Sequence, residues 1–405
     1  LAAGAGVIVS NLDPLGKMIE HGFHITGVVP NNEAIVAVAQ KVLGVETMSI
    51  LVVGLLMNLL IARFTKFKYV FLTGHHSLFM ACLMSAVLGT AGLSGIELIL
   101  VGGFLMGAWS AISPAIGQSY TSKVTDGDEI ALGHFGSLGY YLSAWVAKYV
   151  GKAEESTEDI EIPEKWGFLR DSTLSTALTM IVFYLIAAIA AGSEFVATLS
   201  GSMSPYLFAV MSAMNFAVGV AIVYSGVRMI LGDLIPAFQG IATKIIPNAI
   251  PAVDCAVFFT YAPTAVVLGF ISSFIGGIIG MLILGAVGGV LIIPGLVPHF
   301  FCGATAGIYG NATGGRRGAA VGAFLNGLAI TFLPALALPV LGQLGFQNTT
   351  FGDADFAVMG LVLGNAFEWI GMAGIYGVVV IAALVLIIPN FIKTKGKVIN
   401  YVEEE

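Results

Sequence analysis

Seven long apolar runs, near positions 48–62, 96–117, 174–193, 206–223, 265–293, 319–343 and 357–390, set the main constraint on this chain. A helix that crosses a bilayer needs roughly 20 predominantly apolar residues. Each run is close to that length, and the last is long enough to be tilted or broken. Only 10% of the 405 residues are charged and 57% are hydrophobic, with a mean hydropathy of +0.94. Soluble domains carry about 25% charged residues, so a globule of this composition could not cover its surface. A lipid-facing protein has no such need, provided its backbone groups pair internally, as they do in helices. The sequence therefore predicts an all-α polytopic membrane protein. The 52 glycines suit the close approach of membrane helices.

Shorter apolar pieces near 78–91, 137–150 and 300–309 are too short to span comfortably and read as re-entrant hairpins or broken helices. Together with the long runs they give about 10–11 transmembrane helices. Charge concentrates in three places: Arg63, Lys66 and Lys68, an acidic loop over 151–172, and the tail 393–405 with Lys393, Lys395 and Lys397. The positive-inside rule puts the first cluster and the C-terminus in the cytoplasm. Lys148 and Lys152 bring the acidic loop to the same side. The chain opens at Leu1 inside an apolar stretch without an initiator Met, which reads as a polypeptide whose first helix lies upstream and not as a signal peptide. Cys82, Cys255 and Cys302 show no CxxC spacing, so neither a disulfide framework nor a structural zinc is expected. The net charge of −7 is modest, and no nucleic-acid partner is expected.

An internal repeat is visible. Gly4, Leu12 and Pro14 recur as Gly226, Leu234 and Pro236 at an offset of 222, and at that offset Asn32 falls opposite Asp254. Leu72-Thr-Gly-His75 matches Leu296-Val-Pro-His299 nearby. The halves run over 1–200 and 201–392, ahead of the tail. Interrupted segments at matching positions of two halves point to a binding site near the bilayer midplane, and an odd number of spans between them would make the repeat inverted.

Charged and imidazole side chains are costly in apolar surroundings and are functional candidates by default. Asp254 lies in an apolar segment with no Lys or Arg nearby and could accept hydroxyl protons from a polyol, or alternatively cap a broken helix. His75 and His134 each follow a glycine, which permits a tight turn and close substrate approach. An imidazole can donate and accept, as hydroxyl recognition requires; the alternative is a buried ring bonded to a backbone carbonyl. His76 and His299 are weaker candidates. Glu33 is either a partner for a helix start or a neighbour of the Asp254 counterpart. No HExxH or similar spacing is present, so no metal is expected; no Walker A sequence is present, so ATP does not drive the process directly.

The segments Phe71-Leu-Thr-Gly-His75, Val124-Thr-Asp-Gly127 with Gly133-His134, Lys152-Ala-Glu-Glu-Ser-Thr-Glu-Asp159, Gly226-Val-Arg-Met229, Ala252-Val-Asp-Cys255 and Gly314-Gly-Arg-Arg317 resemble the ascorbate-type IIC component of the bacterial phosphotransferase system. The resemblance runs over nearly the whole chain. It implies a homodimer in the bacterial inner membrane, a core and a scaffold domain each interleaved from both halves, inverted repeats, and an elevator-like motion of the core. It further implies phosphorylation of the solute by a phosphocysteine-bearing IIB partner, with no stand-alone catalysis and no cofactor. His75, His134 and Asp254 match substrate-contact positions. Other contact positions depart from the family: Ala5 stands for a serine, Asn32-Glu33 for a Thr-Tyr pair, and residues such as Phe79 and Phe135 for the glutamines after the two Gly-His steps.

These features predict a permease for L-ascorbate or a related sugar acid or polyol. The solute would be held by His75, His134 and Asp254 with Asn32 and Glu33 beside them, and Ala5, Phe79, Phe135 and His299 complete the predicted set. Asp254 or a neutral histidine is the expected proton acceptor when a solute hydroxyl attacks the phosphocysteine. An ion-coupled carrier and a membrane-embedded enzyme are the competing readings.

Overall fold

A computed structural model describes residues 2–127, 130–160, 172–341 and 349–391. The tail 393–405 and positions 161–171 of the acidic loop lie outside the described residues, as does the side chain of Glu33. The fold is all-α and polytopic. Its helices are α1 (Ala2–Gly22), α2 (Asn32–Phe64), α3 (Gly74–Thr90), α4 (Gly95–Val124), α5 (Ser137–Val150), α6 (Ser172–Ala191), α7 (Ser193–Ser200), α8 (Pro205–Lys244), α9 (Pro263–Ala286), α10 (Leu296–Leu341), α11 (Ala354–Ile370) and α12 (Met372–Ile387).

Among the described residues seven helical segments are long and apolar enough to cross a membrane, against the 10 to 11 expected from sequence. The difference has physical causes. α3 and α5, at 17 and 14 residues, are shorter than a full span. α1 carries Asp13, Lys17 and Glu20, and an ion pair joins Lys17 to Asp13 at 2.7 Å. The apolar piece at 300–309 belongs, as expected, to a broken helix: α10 is two helical arms joined at Gly314–Gly315, where Gly315 takes φ 59° and ψ −155°, a region closed to side-chain-bearing residues. The arms fold back on each other, so that a methyl on Gly310 would collide with the Gly318 carbonyl oxygen. The run at 357–390 also breaks, at Gly371 with φ 65°, into α11 and α12.

Five short strands join the halves: β1 (Val29–Pro30), β2 (Tyr69–Phe71), β3 (Ala131–Leu132), β4 (Ile250–Val253) and β5 (Thr349–Thr350). β4 lies between β2 and β3, with Tyr69 opposite Ile250 and Leu132 opposite Val253. β1 lies between β5 and a bridge from Val28 to Ile292, with Pro30 opposite Thr350. All these pairings are parallel. Each ladder thus takes its centre from one half of the sequence and its flanks from the other. That is the exchange expected of two related halves, and it locks them together through backbone hydrogen bonds such as Leu72 N to Ala252 O at 2.9 Å and Gly133 N to Val253 O at 2.7 Å.

Helix packing uses small residues at the crossings. Gly269 on α9 faces Gly303 and Gly307 on α10, so close that a methyl on Gly307 would sit 2.6 Å from the Gly269 Cα. Gly4 on α1 meets Gly219 and Val223 on α8 in the same manner. In lipid, where apolar burial between helices gains little, such contacts carry association by dispersion.

The first ten residues of the acidic loop are ordered by polar contacts. Glu158 accepts the Thr264 amide at 3.0 Å and the Ala265 amide at 3.1 Å, capping α9 from outside, and also takes the Thr264 hydroxyl at 2.8 Å. Asn311 Oδ1 accepts the Thr157 amide at 2.8 Å, and the Arg316 amide donates to the Glu155 carbonyl at 2.8 Å, just beyond the α10 break.

Candidate functional site

Because the strands of each ladder are parallel, their C-terminal ends emerge on one side, and each leads straight into a helix. β2 runs into Thr73 and α3, β3 into His134 and α5, and β4 into Asp254 and a 3-10 turn over Cys255–Thr260. β1 runs into Asn32 and α2, and β5 into Asp353 and α11. The polar side chains therefore stand where strand gives way to helix N-terminus. These ends carry the positive pole of the helix dipole, which offsets the two carboxylates there.

They line a cavity of about 1370 Å³. The structure brings Ala5, Asn32, His75, Phe79, His134 and Asp254 to its wall, together with Ser10, Thr73, His76 and Asp353. Val223, Met229, Val257, Val297 and Phe301 supply apolar surface. Among the described residues no Lys or Arg lines it.

Asp254 Oδ1 accepts the Ala256 amide at 2.9 Å, and Oδ2 lies 3.4 Å from His75 Nε2. Capping and facing the cavity are thus compatible roles for this one side chain. The His75 side chain is 58% exposed, so it forms the open edge of the pair.

His134 and His76 are buried and adjacent, with ring centroids 3.8 Å apart. The Phe135 amide donates to His76 Nδ1 at 3.3 Å, and the Gly136 amide donates to His134 Nδ1 at 3.2 Å. A backbone N–H can only donate, so both Nδ1 atoms are acceptors and each neutral ring carries its proton on Nε2. The Tyr140 hydroxyl, 2.8 Å from His134 Nδ1, donates to it as well. Ligand atoms of His76, His134 and Asp353 lie within 4.8 Å of one another, a grouping that could be read as a metal site. Histidine ligands normally pass their second N–H to an acceptor; here the groups within hydrogen-bond distance of Nδ1 are donors, the Asp353 carboxylate standing 3.9 Å from His134 Nδ1, which suits hydrogen bonding to solute oxygens and not coordination.

His299 and Phe135 stand outside the cavity wall. His299 occupies the place in the second half that His75 holds in the first, but its ring is buried between α9 and α10, with Nδ1 2.9 Å from Ser273 Oγ. Phe135 stacks on Phe71 at 4.5 Å and supports the site through its backbone. Asn32 is occupied as well. Its Nδ2 donates to Asp353 Oδ2 at 2.8 Å and its Oδ1 accepts the Gly352 amide at 3.0 Å.

Sequence reasoning missed Asp353 and Asp355. Asp355 is buried and accepts from Ser137 Oγ at 2.7 Å, the Leu138 amide at 3.0 Å and Trp109 Nε1 at 3.1 Å, tying the start of α5 to α4 and α11. A signal for Asp353 exists: Gly352-Asp353 follows β5 as Gly133-His134 follows β3.

Exchanged halves, half-length helices and a cavity that gathers a few polar side chains at their tips define a polytopic membrane protein of permease architecture. Residues 1–355 match EIIC-GAT, the PTS system sugar-specific permease component, and the chain belongs to that family. It is 25% identical to the ascorbate-specific PTS system EIIC component of Mycoplasma pneumoniae (strain ATCC 29342 / M129 / Subtype 1), over 76% of this chain and 52% of that relative. The chain thus spans about half the length of the curated relative it matches.

Proposed function

We propose that this chain is the permease subunit of a phosphotransferase complex and carries L-ascorbate, or a related sugar acid or polyol, into the cell. The observation that carries this reading is the cavity itself, where His75, His134 and Asp254 from both halves meet in a largely apolar wall. Hydroxyl-rich solutes need donors and acceptors in fixed places; Nε2–H groups on His76 and His134 supply donors and Asp254 an acceptor. The helix N-termini around the carboxylates leave room for an anionic solute such as ascorbate as well as for an uncharged one.

A cytoplasmic IIB partner phosphorylates the solute, and the core moves relative to the scaffold in a homodimer, with the C-terminus in the cytoplasm. Since Nδ1 of His134 is already engaged and its Nε2 is protonated, Asp254, with His75 beside it, takes the hydroxyl proton as the solute oxygen bonds to phosphorus, the S–P bond of the phosphocysteine breaks and the IIB cysteine leaves as its thiolate. Proteoliposomes test this. Accumulation of phosphorylated solute only with phosphorylated IIB present is the expected result; accumulation of unmodified solute on an ion gradient alone would replace it with an ion-coupled carrier.

A further inference from the structure

Asp353 has a carboxylate in the cavity wall, although the residue is only 5% exposed. Asn32 Nδ2 donates to its Oδ2 at 2.8 Å, the Cys302 thiol donates to its Oδ1 at 3.0 Å, and the neutral His134 ring stands beyond hydrogen-bond distance, with Nδ1 3.9 Å from Oδ1. A carboxylate offers about four acceptor positions, so each oxygen keeps one free. Burying a carboxylate on two neutral donors is costly, and an uncharged side chain could tie the β5 turn to Asn32 equally well. A structural tie therefore does not explain why the group is an acid.

Its position does. His134 follows β3 and Asp353 follows β5, each after a glycine, while Asn32 and Asp254 follow the central strands β1 and β4. The central strand and the β3 or β5 flank of each ladder thus present one acid and one neutral polar side chain, in opposite order. We infer that Asp353 is a second solute-binding carboxylate, set on the β1–β5 ladder as Asp254 is on the β2–β4–β3 ladder. Hydroxyls of one solute donate to both acids, and the imidazoles of His76 and His134 donate to its oxygens. Asn32 is then a positioning residue that aims Asp353. This rests on the permease reading above.

The test uses the purified full chain, with L-ascorbate and an uncharged hexitol as probes in calorimetric titrations. Asp353→Asn keeps the shape and should weaken the bound probe by about 10- to 100-fold, as loss of a hydrogen bond to a charged group does. The loss should be larger for the hexitol than for ascorbate, since removing a negative charge partly compensates an anion. Asn32→Ala should weaken binding less, and the double variant should be no worse than Asp353→Asn alone. Should Asp353→Asn not fold, Asn32→Ala decides the matter, and unchanged affinity in it overturns the inference. Wild-type binding that Asp353→Asn leaves untouched overturns the inference and spares the permease reading. A folded wild-type protein that binds no polyhydroxylated solute overturns both.

Discussion

Asn32 grips Asp353 through both ends of its amide, donating to the carboxylate at 2.8 Å and accepting the neighbouring Gly352 amide at 3.0 Å. The two residues belong to opposite halves of the chain and meet only because β1 and β5 pair in parallel. Both tips of the site are built in this way. A strand from one half delivers a side chain onto the turn that follows a strand from the other, so the geometry of the cavity depends on the exchange of halves.

Asp254→Asn tests the first acid. Asparagine caps a helix nearly as well as aspartate, so the bond to the Ala256 amide survives and the membrane level of the protein should be unchanged. The carboxylate facing His75 is lost. Uptake should fall by about 10-fold or more, as expected for a hydrogen bond to a charged group. Normal uptake at equal expression would remove Asp254 from the site.

Glu158→Ala removes the external cap of α9. Loss of an N-cap costs about 0.5–2 kcal/mol, and the Thr264 and Ala265 amides have no replacement from their own helix. Thermal unfolding in detergent should shift downward, and proteolysis within the acidic loop should accelerate. Equal cleavage rates in variant and parent would show that the loop does not depend on this contact.

Gly307→Leu probes the crossing of α9 and α10. Even a methyl there would come 2.6 Å from the Gly269 Cα and 2.7 Å from the Ala265 carbonyl oxygen. Both are backbone atoms and cannot rotate aside. Overpacking costs typically about 1–3 kcal/mol, so the folded yield in detergent should drop. A variant as stable as the parent would mean that the two helices do not pack this closely.

Much of this was readable from residues alone, for reasons that differ by element. Asp254, His75 and His134 stood out because a polar group in an apolar run has few structural excuses. The break within 357–390 was legible as excess length, although Gly371 could not be picked out among so many glycines. The broken helix at 300–309 was legible as an apolar piece too short to span, and the Gly314–Gly315 turn between the two arms of α10 falls in the polar Asn311 to Arg317 stretch that follows it. His299 shared a motif with His75 but not its surroundings: Ser273 on α9 draws its ring inward. Asp353 escaped because the repeat was followed through the histidines, whereas the second half places an acid where the first has an imidazole.

The assignment of His76 and His134 as donors has a direct test. With Nδ1 of His134 taking the Gly136 amide at 3.2 Å and the Tyr140 hydroxyl at 2.8 Å, the ring has its proton on Nε2. Nitrogen-15 spectra of histidine-labelled protein should report the Nε2–H tautomer for this residue with the cavity unliganded. His134→Gln keeps an N–H donor and should retain solute binding within about 10-fold, whereas His134→Leu keeps bulk without a donor and should lose it by about 10- to 100-fold. Tyr140→Phe removes one of the two donors to Nδ1 and should loosen the ring's orientation, with a smaller loss than the leucine variant. An Nδ1–H tautomer in the spectra, or leucine binding as well as glutamine, would reverse the roles of donor and acceptor across the whole cavity.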